Sequence, residues 1–426
     1  MSDAASRTAR VQLPINLAWA KGAYTVTLHL GREARPARLA LDTGSSTLVV
    51  LPHAYDPAQD ARHSPTAWAQ EVRYGAGAWA GPVVRTDVHF DGAHGRLTLA
   101  DVQLSVAAAN ATDLHDADGL FGLAYAPLDT AHDFTGYFGE RGIAPALTSP
   151  WPFARESADV AAFGALLRAQ PRVRLTPLFG ALADAHAVAN RFALLVRRAL
   201  VHVLDDGAGD EAIAADPLNQ GLLILGGDTH DVHADDLHRD DVREVQVVHD
   251  LYYNVELVAL QVGDGPRIAA PPLDARDVAR GGSNAFVDTG CSFLVLEASL
   301  HRAVLAAFAA GDPGMPALVE RSAQAFAQDR QGVPNAEVDA FDWPALHFFL
   351  RAPGGGETRL TCPPAHYWQR NALRAGQACC LLMAQLPHFP KQSLLGLPLL
   401  AGHYVVFDRA AANGGVLRVA TAHPPA

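Results

Sequence analysis

Short apolar runs separated by Gly-containing turns dominate the first third of the chain. Successive side chains of a β-strand point to opposite faces, so runs of this length that are bounded by turn residues predict strands. Turn residues recur between the runs, which is typical of antiparallel β-structure. The predicted strands are residues 12–17, 24–30, 37–42, 46–52, 71–75, 83–90 and 95–106.

This pattern breaks between residues 130 and 190, where helices are predicted at 161–170 and 177–189 as a partly helical insertion. Strand-like runs then resume, together with one further predicted helix at 299–310. The last run predicts a hairpin over 404–420 with Asn413, Gly414 and Gly415 in its turn. The expected fold is therefore all-β, mainly antiparallel, with a few short helices. The later strands are expected at 192–204, 221–228, 243–263, 284–297, 345–352 and 357–362.

The chain has 426 residues, more than the roughly 250–300 residues at which one hydrophobic core stops growing. Two lobes are expected as a result. We predict an N-terminal β lobe over 1–230, which carries the insertion at about 130–190, and a C-terminal β lobe over 231–426.

Charge and hydropathy limit the partners. The net charge is −12, which argues against nucleic acid or an anionic membrane as the main partner. The sequence has no apolar run of 18 residues and no signal-like apolar region at its start, so a cytoplasmic protein is expected. Four cysteines are too few for a disulfide framework, and reduced thiols are expected.

The two halves share a motif. Asp42-Thr-Gly and Asp288-Thr-Gly each follow an apolar run and precede a Ser and a second apolar run, 246 residues apart (288 − 42). A given tripeptide is expected about once in several thousand positions. Leu120-Phe-Gly follows the first motif and Leu394-Leu-Gly follows the second, in the same order. The chain therefore contains a duplicated unit.

A duplicated Asp motif suits a catalytic site at a twofold seam, to which each lobe contributes one carboxylate. Two carboxylates within hydrogen-bonding reach share one proton over a wide pH range. One can then accept a proton from water while the other protonates a carbonyl oxygen. Gly44 and Gly290 permit tight turns beneath the carboxylates, and the hydroxyls of Thr43 and Thr289 can join one loop to the other.

On these motifs the sequence resembles the pepsin-like aspartic peptidases, and it is similar to bacterial cytosolic members such as the shewasins. The shared-proton pair is a property of pepsin itself. The resemblance extends over most of the chain, through further segments at Asp118–Tyr125, Leu222–Gly227 and Tyr404–Arg409, and through a flap-like Tyr74-Gly-Ala-Gly77. It implies a two-lobed double β-barrel with the active-site cleft between the lobes.

The resemblance also implies residue roles. Asp42 and Asp288 are the catalytic pair of an aspartic endopeptidase that cuts polypeptides between apolar residues, binds statine-type inhibitors, and acts as a monomer without metal or cofactor. The supporting residues of the two active-site loops are Thr43, Gly44, Ser45, Thr289, Gly290 and Cys291. The substrate-binding residues are Tyr74, Gly75, Ala76, Gly77, Leu120 and Tyr252, the last in preference to Tyr253.

Three positions depart from the family pattern. Val49 stands where the family has a Trp that is hydrogen-bonded to the flap tyrosine, and Cys291 replaces a hydroxyl residue. Leu397 replaces an acidic residue, and Cys362, Cys379 and Cys380 do not match the family's disulfide positions.

Other interpretations stay open. Val49 and Cys291 suit a catalytically weak or inactive protein of the same fold that holds an extended peptide by strand addition. Paired Asp-x-Gly loops also occur around Mg²⁺ in phosphotransferases, but those enzymes need alternating β and α units and phosphate ligands. A divalent metal at 230–238, which is rich in His and Asp, competes with a solvated acidic loop, and its spacing fits no specific site.

Overall fold

The computed structural model describes residues 9–20, 22–74, 77–93, 95–110, 114, 116–229, 236–387, 389–411 and 414–424. Of Tyr74, Asn110 and Ala161 it describes only the backbone. The structure is mainly β, with 39% strand and 21% helix, so the expected β class is confirmed. Among the described residues, no helix is long and apolar enough to cross a membrane.

Internal packing divides the chain into two compact units, one formed from 1–13 and 25–189 and the other from 14–24 and 190–426. Both this division and the predicted boundary at residue 230 separate the two Asp-Thr-Gly motifs. The segment 190–230 belongs to the second unit because its strands pair with strands from the end of the chain, as given below.

The first unit is built mainly on antiparallel strands. Strand β1 (Val11–Asn16) begins in this unit and continues into the second. The other strands are β2 (Thr25–Leu30), β3 (Arg35–Asp42), β4 (Leu48–Val50), β5 (Ser64–Tyr74), β6 (Gly77–Gly92), β7 (Gly95–Val106), β8 (Ala109–Asn110), β9 (Gly119–Gly122), β10 (Thr130–Asp133) and β11 (Arg172–Arg174). The helices are α1 (Thr135–Gly139), α2 (Val160–Arg168) and α3 (Leu178–Asp184), so both helices predicted for the insertion are confirmed.

Six of these strands close into a barrel. The long strand β6 pairs with β7 and also with β2, where His29 lies opposite His89. The order β2, β3, β9, β4, β7, β6 and back to β2 leaves no free edge among these strands. Outside the barrel, β5 pairs with the first part of β6, from Gly77 to Arg85, and β10 and β11 continue the sheet beyond β5.

The second unit contains several smaller sheets. Its strands are β12 (Arg191–Val196), β13 (Gln220–Leu225), β14 (Arg243–Gln246), β15 (His249–Asp250), β16 (Tyr253–Val255), β17 (Leu257–Val262), β18 (Arg267–Ala269), β19 (Ala285–Val287), β20 (Leu294–Leu296), β21 (Val333–Pro334), β22 (Leu346–Arg351), β23 (Glu357–Cys362), β24 (Trp368–Arg370), β25 (Gln377–Cys380), β26 (Leu382–Ala384), β27 (Ser393–Leu395), β28 (His403–Asp408) and β29 (Val416–Thr421). Its helices are α4 (Asp210–Ala215), α5 (Ala275–Val278), α6 (Ala298–Gly311), α7 (Gly314–Asp329), α8 (Asn335–Val338), α9 (Pro364–Tyr367) and α10 (Leu397–Leu400).

Strand β12 pairs with β13 and with β28, which places 190–230 in this unit. The predicted C-terminal hairpin is confirmed as the antiparallel pair β28 and β29, although Asn413 lies outside the described residues.

The predicted strand at 192–204 ends at Val196. Buried Arg198 there donates from Nε to the carbonyl of Leu200, at 2.8 Å, in irregular backbone.

Two consecutive helices of 14 and 16 residues, α6 and α7, depart from the expectation of a few short helices. Helix α6 matches the predicted 299–310, and α7 was not predicted. The buried face of α7 comprises Met315, Leu318, Val319 and Ser322. A Ser at the last of these positions and a Pro in the first turn hide the 3.6-residue periodicity of the sequence.

Candidate active site

The first Asp-Thr-Gly motif forms a tight loop at the end of β3. Oδ1 of Asp42 accepts a hydrogen bond from the backbone N–H of Gly44 at 2.7 Å. Asp42 is 7% exposed, and Thr43 is fully buried. The carbonyl of Asp42 accepts the N–H of Leu123 at 2.6 Å. The loop is therefore held both by its own backbone and by the chain that follows β9.

Strand β9 supports this loop by pairing with the strand that leads into it. It runs parallel to β3, with Asp42 opposite Gly122, and the N–H of Gly122 donates to the carbonyl of Thr47 at 2.9 Å. A Cβ atom on Gly122 would lie 2.5 Å from backbone atoms of Ser46 and Thr47. The position therefore requires glycine.

The second motif forms a similar loop in the second unit. Oδ1 of Asp288 accepts the N–H of Gly290 at 2.9 Å, and the N–H of Asp288 donates to the carbonyl of Leu395 at 3.2 Å. Asp288 is half-buried, and Thr289 is 2% exposed. A hydrogen bond from a backbone N–H stabilises the charged form of a carboxylate, and both motifs supply one.

Gly396 has the same role in the second unit that Gly122 has in the first. A Cβ atom there would lie 2.3 Å from the carbonyl oxygens of Cys291 and Phe293. Cys291 is further fixed by the N–H of Leu397, which donates to its carbonyl at 2.9 Å. Backbone atoms crowd both glycines, so neither site has room for a side chain.

The strands around the two motifs follow one plan. The order β7-β4-β9-β3-β2 in the first unit corresponds to β26-β20-β27-β19-β16 in the second. In both sets the pairings are, in turn, parallel, antiparallel, parallel and antiparallel.

The register of these strands is also the same. Leu120 lies opposite Ala40 and Val49, whereas Leu394 lies opposite Phe286 and Val295. Both partners of Leu394 are displaced from those of Leu120 by the 246 residues that separate the two aspartates. Each Asp therefore leaves an equivalent strand at an equivalent place.

The hairpin predicted to act as a flap is formed by β5 and β6, which pair as far as Tyr74 opposite Gly77. Gly75 and Ala76 lie outside the described residues. Behind the hairpin, Val49 is fully buried in a cluster with Leu120 and Trp79. Leu120 is 8% exposed. The indole of Trp79, which belongs to β6, therefore lies in the same cluster as Val49.

The two tyrosines of the second unit differ. Tyr252 is half-buried and stacks on Phe286 with ring centroids 4.9 Å apart. Tyr253 is fully buried, and its hydroxyl accepts a hydrogen bond from Nε of Arg409 at 2.7 Å. Burial raises the pKa of Tyr253 to about 12, so this hydroxyl stays neutral.

All four cysteines are free thiols. Sγ of Cys291 donates to the carbonyl of Phe293 at 3.4 Å. Cys379 and Cys380 are buried, and burial raises the pKa of each to about 12. Thiols of this kind are unreactive because the thiolate is the nucleophile.

Sequence inspection missed a buried polar cluster in the first unit. Nε2 of Gln70 donates to Oδ1 of Asp129 at 2.7 Å and to the carbonyl of Thr130 at 3.2 Å. Thr47 Oγ1 donates to the same carboxylate oxygen at 3.3 Å, and Ser105 Oγ donates to Oε1 of Gln70 at 2.6 Å. Gln70 and Asp129 are 59 residues apart in the sequence, and a local sequence pattern carries no signal of such a distant contact.

Residues 230–235 of the candidate metal segment lie outside the described residues. His238 stacks on Tyr404, with ring centroids 4.9 Å apart, and its Nδ1 contacts the carbonyl of Arg239 at 2.7 Å. Within the described part of the chain, no group of three or more His, Cys, Asp or Glu residues is arranged to hold a metal ion.

Comparison with protein-family models gave no match, and comparison with curated proteins gave no significant one.

Proposed function

We propose that this chain is a two-lobed, pepsin-like aspartic endopeptidase in which Asp42 and Asp288 act together on one water molecule. The observation that carries the proposal is the equivalence of the two motifs: the same five-strand order, the same register and the same carboxylate to glycine N–H bond recur in the two units. A duplicated carboxylate loop is the arrangement that a proton-sharing pair needs.

The proposed chemistry is general acid–base catalysis without a covalent intermediate. One carboxylate takes a proton from the water molecule, whose oxygen attacks the peptide carbonyl carbon. The other carboxyl protonates the carbonyl oxygen. Collapse of the tetrahedral intermediate breaks the C–N bond: the carboxyl that took the proton from water passes it to the leaving amine, and a hydroxyl of the intermediate returns a proton to the other carboxylate. The hydrogen bonds from Gly44 and Gly290 stabilise charge on the carboxylates throughout this sequence.

The substrate proposed for this site is an extended polypeptide with apolar residues at the cleaved bond. The β5 and β6 hairpin supplies strand edges of the kind to which an extended peptide can pair. The proposed location is the cytosol, since free thiols suit a reducing compartment.

The test is hydrolysis of a denatured protein by the wild type and by Asp42→Asn and Asp288→Asn between pH 3 and 8, with and without a statine-type inhibitor. We expect inhibitor-sensitive fragments from the wild type and a loss of at least about a hundredfold in rate for either variant, since a general acid–base contributes about 10²–10⁴. Asp101→Asn is the matched control, because Asp101 is an exposed carboxylate with a positive φ that Asn also adopts.

Residual activity above a tenth of the wild-type rate in either variant would contradict the proposed pair. A wild type that binds the inhibitor but cuts nothing would instead identify a peptide-binding protein of the same fold.

A further inference from the structure

The first part of the insertion, from Asp129 to Leu175, packs directly on the hairpin of β5 and β6. Strand β10 pairs with β5, with His132 opposite Ala69. Ala69 and Ala80, one from each hairpin strand, are buried in a cluster with aromatic side chains of the insertion: Phe134, Phe138, Phe153 and Phe163. The insertion therefore covers the base of the hairpin with an apolar surface.

Adjacent residues of β5 carry polar contacts on opposite faces of the strand, because side chains alternate along it. On one face, fully buried Gln70 binds Asp129 at 2.7 Å. Thr47 of the Asp42 loop binds the same carboxylate oxygen of Asp129. Gln70 therefore connects the hairpin, the start of the insertion and the loop of the first catalytic aspartate.

On the other face, Glu71 faces helix α2 of the insertion. Its side chain is 6% exposed, and its carboxylate pairs with Arg168 at 2.9 Å and with Arg73 at 2.6 Å. Helix α2 passes so close that a Cβ atom on Gly164 would lie 2.4 Å from Oε1 of Glu71. A buried carboxylate that is held by two guanidinium groups resists displacement, because removing one partner leaves a charge poorly compensated.

We infer that the insertion is a buttress for this hairpin: Gln70 with Asp129 on one face and Glu71 with Arg168 on the other fix the position of the hairpin base. The effect of this buttress on peptide cleavage rests on the proposed function. The two faces have different neighbours, since Gln70 also contacts the Asp42 loop and Arg168 does not. Substitutions of Gln70 and of Arg168 should therefore affect catalysis differently.

The first measurement is amide hydrogen exchange over residues 71–74 and 77–80 in the full chain. Gln70→Leu and Arg168→Met should each speed exchange there by about fivefold or more, as expected when a local restraint is removed. Asp129→Asn is the conservative variant, and it should stay close to wild type because its Oδ1 still accepts the Gln70 hydrogen bond. Tyr55→Phe is the matched control, since it removes a buried hydrogen bond to a carboxylate elsewhere in the same unit.

The second measurement is steady-state cleavage of an apolar peptide. Arg168→Met should raise KM by about fivefold and leave kcat within about twofold, because it loosens only substrate coverage. Gln70→Leu should raise KM and also lower kcat. Arg168 is 46% exposed in its side chain, so its replacement leaves a folded protein even if Gln70→Leu unfolds.

Unchanged exchange in both buttress variants, or equally faster exchange in Tyr55→Phe, would overturn the buttress. Faster exchange with wild-type KM and kcat would overturn its role in catalysis. Exchange needs no turnover, so an inactive wild type would reject the proposed function while the exchange comparison still decides the buttress.

Discussion

Two buried carboxyl groups of the first unit show that hydrogen bonds and burial shift the pKa of a single residue in opposite directions. Asp60 accepts four hydrogen bonds, from the side chains of Tyr55 and Thr86 and from the N–H groups of Arg32 and Arg62. Burial opposes its charge, but these donors outweigh burial and lower the pKa of Asp60. Among the described residues, the side chains that donate to Asp129 are those of Gln70 and Thr47, and burial raises its pKa to about 6.

Asp129→Asn should therefore change how stability depends on pH. The raised pKa means that folded Asp129 retains its proton between about pH 4 and 6, where the unfolded chain releases it, so wild-type stability falls as pH rises through this window. A shift of about two pKa units corresponds to roughly 3 kcal/mol. The free energy of unfolding of Asp129→Asn, measured in urea, should gain up to about that amount relative to wild type between pH 4 and 7.

Asp60→Asn is the matched control with the opposite sign. Because the pKa of Asp60 is lowered in the folded protein, its charged form stabilises the fold at pH values above the pKa of the unfolded chain. This stabilisation is lost as the pH falls through the folded pKa. The deficit of Asp60→Asn should shrink towards low pH. Parallel stability curves for wild type and Asp129→Asn across pH 4–7 would contradict the assignment for Asp129.

At the scale of elements, each Asp-Thr-Gly loop depends on a glycine at the end of a neighbouring strand: Gly122 is the last residue of β9, and Gly396 directly follows β27. Gly122 and Gly396 do not need unusual backbone angles, since neither has a positive φ. They need the absence of a side chain, because carbonyl and backbone atoms of the loop occupy the place of a Cβ. Such crowding cannot be relieved by rotating a side chain.

Gly122→Ala and Gly396→Ala should each destabilise the protein by about 2 kcal/mol or more, since overpacking against a rigid backbone costs about 1–3 kcal/mol. Each should also lower kcat, because the loop that carries the aspartate must shift. Gly136→Ala is the control, as nothing lies within 4 Å of its added Cβ. Denaturation and cleavage assays check both effects, and a Gly122→Ala variant with wild-type stability would reject the close approach.

At the scale of the whole molecule, the proposed function requires one ligand to engage residues that lie in both units, Asp42 in the first and Asp288 in the second. A ligand that binds only the folded protein stabilises it by mass action. Ligand linkage therefore reports on both units in a single measurement.

A statine-type inhibitor at 100 times its dissociation constant should raise the free energy of unfolding of the wild type by about 2.7 kcal/mol. The same concentration should have a smaller effect on Asp42→Asn and on Asp288→Asn, because each lacks one acceptor for the inhibitor hydroxyl. Thermal or urea denaturation gives the comparison. A rise that survives both substitutions would show binding away from the proposed pair.

The amino-acid sequence by itself determined most strands, because apolar alternation and turn residues act over short distances. Strand β7 matches its predicted range of 95–106, and the catalytic candidates follow from a repeated motif that any alignment of the two halves reveals. Helix α7 was missed because its buried face ends in Ser322, whose burial is decided by packing and not by residue type.

Only the tertiary structure decided how the motifs are supported. The shared strand order and register around Asp42 and Asp288, the crowding at Gly122 and Gly396, and the contact of Gln70 with Asp129 all join residues that are far apart in the chain. Local pattern carries no information on such pairings, because they depend on which strand lies beside which. The insertion illustrates this limit: its helices were predictable from sequence, and its contact with the hairpin was not.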